Sequence, residues 1–211
     1  MVDMEFKGNK SMKLYPLILI ALLLAACNGA PDYSPKPRGY FRLVFPKKEY
    51  QQFNGPYPFT FLYPKYAVIE KDKDKTPQKK DKKLINMSYL LNMQFPQFNG
   101  TLHLSYETIT SQKVFNELTE DARKFAFNHS VKATSIDQGL IRFPDRNVYG
   151  VYYTIDGNAA SSAQFFLTDS THNYIRGALY FNTAPRLDSI QPVLDFVKQD
   201  MNVMINSFKW K

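Results

Sequence analysis

The spacing of apolar and polar residues changes along the chain, and each spacing predicts an element. Leu14 to Ala26 is an uncharged run of 13 residues, shorter than the roughly 20 needed to span a bilayer as a helix. Thr101 to Thr108 alternates, with Leu102, Leu104 and Tyr106 on one face and Thr101, His103, Ser105 and Glu107 on the other; this is the pattern of a half-buried strand. Shorter β-branched and aromatic runs at Tyr40–Phe45, Phe59–Leu62, Tyr66–Ile69 and Ile85–Leu91 predict further strands, punctuated by Pro46, Pro58, Pro64 and a turn over Pro96–Gly100. From Ser111 the period becomes helical. Phe115, Leu118, Ala122 and Phe125 fall on one stripe as far as Phe127, with Glu117, Glu120 and Asp121 off it and Ser111 placed to cap the amino end.

Three strand signals follow in the second half, at Val148–Ile155, Ser161–Thr168 and Tyr174–Phe181. The turn-rich connections Asp156–Ala160 and Asp169–Asn173 are hairpin lengths, so these strands are expected to form an antiparallel meander. Ile190 to Asn206 then predicts a helix whose stripe is Val193, Leu194, Val197, Met201, Met204 and Ile205, capped by Asp188 or Ser189, with Pro192 in the tolerated first turn. Phe208 and Trp210 carry apolar content to the terminus, which predicts a docked tail. Together these elements predict an α+β fold in one domain: an antiparallel sheet containing the three-strand C-terminal meander, with both amphipathic helices packed on one face. No internal repeat is evident.

Composition narrows the chemistry. A chain of 211 residues, 44% hydrophobic and 15% aromatic, can bury one substantial core. Its one cysteine, Cys27, leaves neither a disulfide framework nor a cysteine metal site. His103, His129 and His172 lack ligand spacing, and no nucleophile-elbow or phosphate-binding motif occurs, so no metal, cofactor or catalytic residue is expected. The segment Asp169-Ser170-Thr171-His172-Asn173 sets Ser170 beside His172; read as nucleophile and base it would make a hydrolase, and read as turn formers it makes a hairpin, which is the reading favoured. The small residues Gly157 to Ser162 likewise suit either a hairpin or the close approach of an anion or partner backbone. Abundant Tyr and Asn on the meander leave open an envelope-binding module for glycan or peptidoglycan. Lys71 to Lys83 is too charged to bury apolar area and reads as a solvated loop.

The amino end carries a processing signal. Lys7, Lys10 and Lys13 precede the apolar run, which ends in Leu24-Ala25-Ala26-Cys27. Small residues directly before a cysteine form a lipobox, so residues 1–26 read as a lipoprotein signal peptide and Cys27 as the lipidated residue. The start remains open among Met1, Met4 and Met12. Asn28 to Arg38, with Pro31, Pro35 and Pro37, reads as an extended tether ahead of a domain over residues 39–211. Removing residues 1–26 leaves 24 basic against 17 acidic residues, a net +7, which suits an anionic membrane face or an acidic partner. An exported, membrane-anchored chain has no routine access to nucleic acid, so none is expected as a partner.

Three segments then carry a resemblance: Pro35-Lys36-Pro37-Arg38-Gly39-Tyr40-Phe41-Arg42; the long stretch Tyr149 to Thr171; and Arg176 to Phe181 with Phe208-Lys209-Trp210-Lys211. Over Pro35 to Lys211 the chain resembles the GldD family of gliding-motility lipoproteins of the Bacteroidetes. The resemblance implies a non-enzymatic, membrane-anchored component or assembly factor of the gliding machinery, tied to type IX secretion. It would be held in the cell envelope through Cys27, facing the periplasm, with other gliding and secretion proteins as partners and no small-molecule substrate. Asp169-Ser170-Thr171 and Asp188-Ser189-Ile190 also resemble sites at which these bacteria O-glycosylate exported proteins, which would make Ser170 and Ser189 acceptors.

Overall fold

The computed structural model describes residues 43–71, 87–183 and 186–211. The signal peptide, Cys27, the tether and nearly all of the lysine-rich segment lie outside the described residues. Leu43 to Lys211 is one compact unit. Its strands are β1 (Tyr50–Phe53), β2 (Phe59–Pro64), β3 (Val68–Lys71), β4 (Met87–Phe95) and β5 (Gly100–Thr108), then β6 (Ala133–Phe143), β7 (Val148–Gly157), β8 (Ser161–Thr168), β9 (Asn173–Phe181) and β10 (Lys209–Trp210). Helix α1 (Gln112–Phe127) joins β5 to β6, and α2 (Leu187–Ser207) joins β9 to β10.

The expected α+β class holds, but the sheet is larger than a three-strand meander. Seven strands run in the order β3-β4-β5-β9-β8-β7-β6, and a second sheet has the order β1-β2-β10. The meander β7-β8-β9 is its interior, with antiparallel pairs such as Val151↔Phe166 and Leu167↔Ile175. β6 escaped prediction because most of its residues are exposed at the sheet edge, so no apolar alternation marks it. Conversely, the strand expected at Tyr40–Phe45 is not formed in its described part, Leu43–Phe45. There Phe45 stacks on Phe196 of α2 with ring centroids 4.6 Å apart, so its apolarity serves helix contact rather than a sheet.

The two helices do not share a face. A strand presents successive side chains to opposite faces, and on β8 Ala163, Phe165 and Leu167 enter the core that contains Leu194, Val197 and Met201 of α2. Phe166, between them, enters a second core with Leu118, Ala122 and Ala126 of α1. Every residue of β8 is buried, Ser162, Gln164 and Thr168 included; a strand buried on both faces needs a cover on each. α1 therefore covers β7–β9 from one side, while α2 and the small sheet close the other, where Phe59 meets Tyr106 at a ring distance of 5.8 Å.

Local signals set the helix ends unequally. Ser111 Oγ accepts from the Val114 N–H at 3.3 Å, as its capping position predicts. Ser111→Ala should cost about 1 kcal/mol, read as a fall of roughly 2–4 °C in Tm in circular-dichroism melts. α2 differs from expectation: it starts at Leu187 behind Arg186, without a side-chain cap, and Pro192 lies inside it. Its first turn is closed by the backbone N–H groups of Ser189 and Ile190, which both donate to the Arg186 carbonyl, at 3.0 and 3.2 Å.

Two hairpins share one turn. Phe95-Pro96-Gln97-Phe98-Asn99 joins β4 to β5 and Phe143-Pro144-Asp145-Arg146-Asn147 joins β6 to β7, each a single 3-10 turn closed by Asn at φ 49° and 52°. Proline fixes the entry to the turn and asparagine tolerates the left-handed exit, so this five-residue pattern is a short internal echo in a chain without longer repeats. The tail is docked as expected: Phe208 is fully buried and β10 pairs with β2.

Candidate functional site

Sequence-predicted chemistry is dispersed. In the Asp169–Asn173 turn, Asp169 Oδ1 accepts from the backbone N–H of Thr171, His172 and Asn173 at 2.8–2.9 Å. These bonds hold its carboxyl below the usual carboxylate range despite the opposing effect of burial. Ser170 takes a positive φ of 66° to close the loop. The carboxylate thus organises backbone instead of orienting an imidazole, which is the turn-former arrangement. Gly157 has φ +97°, and a Cβ there would stand 2.7 Å from the Thr134 nitrogen; with Ala159 buried in the α1 core, this loop is a filled hairpin end. His103 lies on β5, His129 behind α1 and His172 in a turn. Among the described residues no group of three metal-ligating side chains forms. Ser170 and Ser189 are both exposed. Cys27 lies outside the described residues.

The tyrosines of the meander are mostly consumed by packing. Tyr153 and Tyr174 are buried under α1, and Tyr152 packs against the α2-side core. Tyr149 and Tyr180 stay half-exposed.

The structure assembles two polar groupings that the sequence did not single out. One is a clamp around Asp200, a residue of α2 only 1% exposed. Lys48 Nζ donates to Asp200 Oδ1 at 2.8 Å and to the Phe196 carbonyl at 2.6 Å, and stands 3.6 Å from the centre of the Phe196 ring. The Tyr50 hydroxyl donates to Oδ1 at 2.8 Å, and the Tyr66 hydroxyl donates to Oδ2. Burial, then the bond to Asp200, pushes the Tyr50 phenol up to about 12. With its carboxylate so occupied, the cluster is a fastening between Lys48–Tyr50 and the last helix. A sequence signal existed: Asp200 falls three residues after Val197 and four before Met204, on the apolar stripe, where a carboxylate demands partners.

The second is a polar sheet face. The face of β4, β5 and β9 on the α1 side carries Asn92, Gln94, Thr101, His103, Ser105, Arg176 and Tyr180, all at least partly exposed. His103 Nδ1 lies 2.7 Å from Asn92 Oδ1, and its ring is edge-on to Tyr180 at 5.7 Å. Gln94 donates to Glu70 at 3.1 Å. Where α1 begins to cover this face, Glu107 is 8% exposed and its Oε2 has no hydrogen-bond partner among the described residues. Burial, reinforced by Asp121, pushes its carboxyl up to about 7. The face offers amides, an imidazole, an aromatic edge and a guanidinium to solvent, a set suited to binding a polar partner.

One comparison decides the family: the model of the gliding motility lipoprotein GldD matches residues 30–210. The chain belongs to the GldD family. It is a gliding-motility-related lipoprotein associated with the cell envelope, in a family not known as enzymatic. No curated protein matches it. The GldD match takes in the Asp200 clamp, both helices and the polar face, and begins just after Cys27. Among the described residues, no helix of this GldD-family chain is long and apolar enough to cross a membrane.

Proposed function

We propose that this protein is a non-enzymatic component or assembly factor of the Bacteroidetes gliding machinery linked to type IX secretion, anchored by a lipid on Cys27 and facing the periplasm. The observation that carries this reading is the family match starting at residue 30, directly behind the lipobox cysteine. An acyl group contributes about 0.8 kcal/mol per buried methylene, so a multiply acylated Cys27 holds the chain stably on a bilayer. The polar face of β4, β5 and β9 then supplies a surface for neighbouring machinery proteins, and the exposed hydroxyls of Ser170 and Ser189 are accessible to a glycosyltransferase.

The test is a clean deletion in a gliding host, complemented with wild type or Cys27→Ser, scoring cell movement and release of type IX cargo together. Loss of both, rescued by wild type and not by Cys27→Ser, is the expected outcome. Normal movement and secretion in the deletion strain would defeat the proposal. A glycan- or peptidoglycan-binding role is the second reading, favoured by the edge-on pair His103–Tyr180 beside Asn92. Retention on purified cell-wall fragments, lost in Tyr180→Ala, would establish it.

A further inference from the structure

Arg176 is a half-buried charge without an ion-pair partner among the described residues. It lies on β9 at the edge of α1, opposite Ser105 on β5 and Phe166 on β8. Its Nη2 donates to Gln164 Oε1 at 2.8 Å, and its guanidinium carbon sits 4.4 Å from the centre of the Phe125 ring. Among the described residues no carboxylate comes within ion-pair distance of it, although seven such pairs form elsewhere. Its charge is felt nearby: burial first, and then Arg176, hold His129 below its usual range, which favours the neutral imidazole.

Gln164 makes the need sharper. It is 1% exposed. Because arginine can only donate, Gln164 must turn its oxygen to Arg176, which fixes the amide orientation and leaves Nε2 as a donor to be matched elsewhere. That nitrogen is buried without a hydrogen-bond partner among the described residues, an arrangement that costs about 1–3 kcal/mol when left unmade. A guanidinium lying on an aromatic ring keeps its in-plane N–H fork free to meet an acceptor. Fork, orphan amide donor and the Ser105 position share one side of the sheet, at the border of the open polar face.

We propose that Arg176 and Gln164 form a binding site for a carboxylate group, with Phe125 as its wall. The planar fork of Arg176 takes the two carboxylate oxygens side by side, and Gln164 Nε2 donates to one of them. The carboxylate belongs to an acidic sugar or to the terminus of a peptide; both present the same planar anion. This assignment is independent of the anchoring role, since it rests on side-chain geometry within the folded unit.

The test uses the full acylated chain in detergent micelles, isotope-labelled for NMR, at constant ionic strength. Acetate, D-glucuronate and N-acetyl-D-alanine are titrated, with glucose and N-acetyl-D-alaninamide as neutral counterparts. Saturable shifts of the Gln164 side-chain amide are expected with the acids only. Arg176→Lys, which keeps the charge and loses the fork, should weaken binding tenfold or more. Gln164→Glu should abolish binding and raise Tm, because it places a carboxylate of the protein's own in the fork. Tighter binding of glucuronate than acetate would support the site and mark a sugar acid; tighter N-acetyl-D-alanine would support it and mark a peptide terminus. No saturable response to any acid, or undiminished binding in Gln164→Glu, would overturn the proposal.

Discussion

Asp200→Ala is expected to destabilise the protein by about 3–5 kcal/mol, because removing one partner of a buried ion pair strands the other. For a chain of this length that corresponds to a fall of roughly 10 °C or more in Tm. The substitution leaves Lys48, only 25% exposed in its side chain, without its carboxylate, and removes the acceptor of both the Tyr50 and Tyr66 hydroxyls. Urea unfolding of wild type and variant measures the difference. A loss below about 1 kcal/mol, the range of an exposed pair, would show that the clamp does not fasten the amino-terminal segment to α2. The cluster also predicts an alkaline limit. Tyr50 in the folded state keeps its proton to about 12, above the ordinary value of 10, so the folded state binds more protons than the unfolded one between those values. Stability is then fully present below pH 10 and declines as pH rises through that window. Tyr50→Phe should flatten that decline, though it loses a hydrogen bond at neutral pH.

Glu107→Gln should have the opposite sign, stabilising the protein in a pH-dependent manner. The folded-state carboxyl titrates near 7 against an ordinary 4.5, so between those values the folded state holds the extra proton. The contribution of Glu107 to wild-type stability is therefore most favourable below about pH 4.5, falls as pH rises toward 7, and carries the full cost above it. A shift of this size corresponds to a cost on the order of 3 kcal/mol at pH 8. The neutral amide removes it. Calorimetric melts at pH 5 and pH 8 should show Glu107→Gln gaining on the order of 5 °C relative to wild type at the higher pH and little at the lower. Parallel melting curves for the two proteins at both values would mean that Glu107 is solvated or paired. The acid responsible is local: Oε2 has no partner among the described residues, and Asp121 on α1 adds repulsion.

Both predictions concern carboxylates that the fold buries, and the sequence shows them only partly, since Glu107 reads as a polar-face residue of an alternating strand. Asp200 interrupts a helical stripe, and Gln164 and Arg176 interrupt strands whose neighbours are apolar. Each interruption is visible in one dimension. What satisfies it is not: Lys48, Tyr50 and Tyr66 stand 134 to 152 residues from Asp200 along the chain. Their pairing depends on β1 and β2 being laid beside α2.

The sequence by itself determined the α+β class, the strands of β5 and β7–β9, the Ser111-capped helix, the docked tail and the family resemblance. Those features are written in short-range periodicity, in hairpin-length turns, and in residues that act where they stand. Only the tertiary structure decided that the meander lies inside a seven-stranded sheet, that α1 and α2 cover opposite faces, and that β6 forms the edge. The reason is physical. Period-two alternation says that a strand has two faces but not which element covers each, and an exposed edge strand has no apolar pattern because one side of it faces water. The fastening at Asp200 and the open guanidinium of Arg176 belong to the same class of fact, since a buried polar group is explained by what long-range folding brings to it.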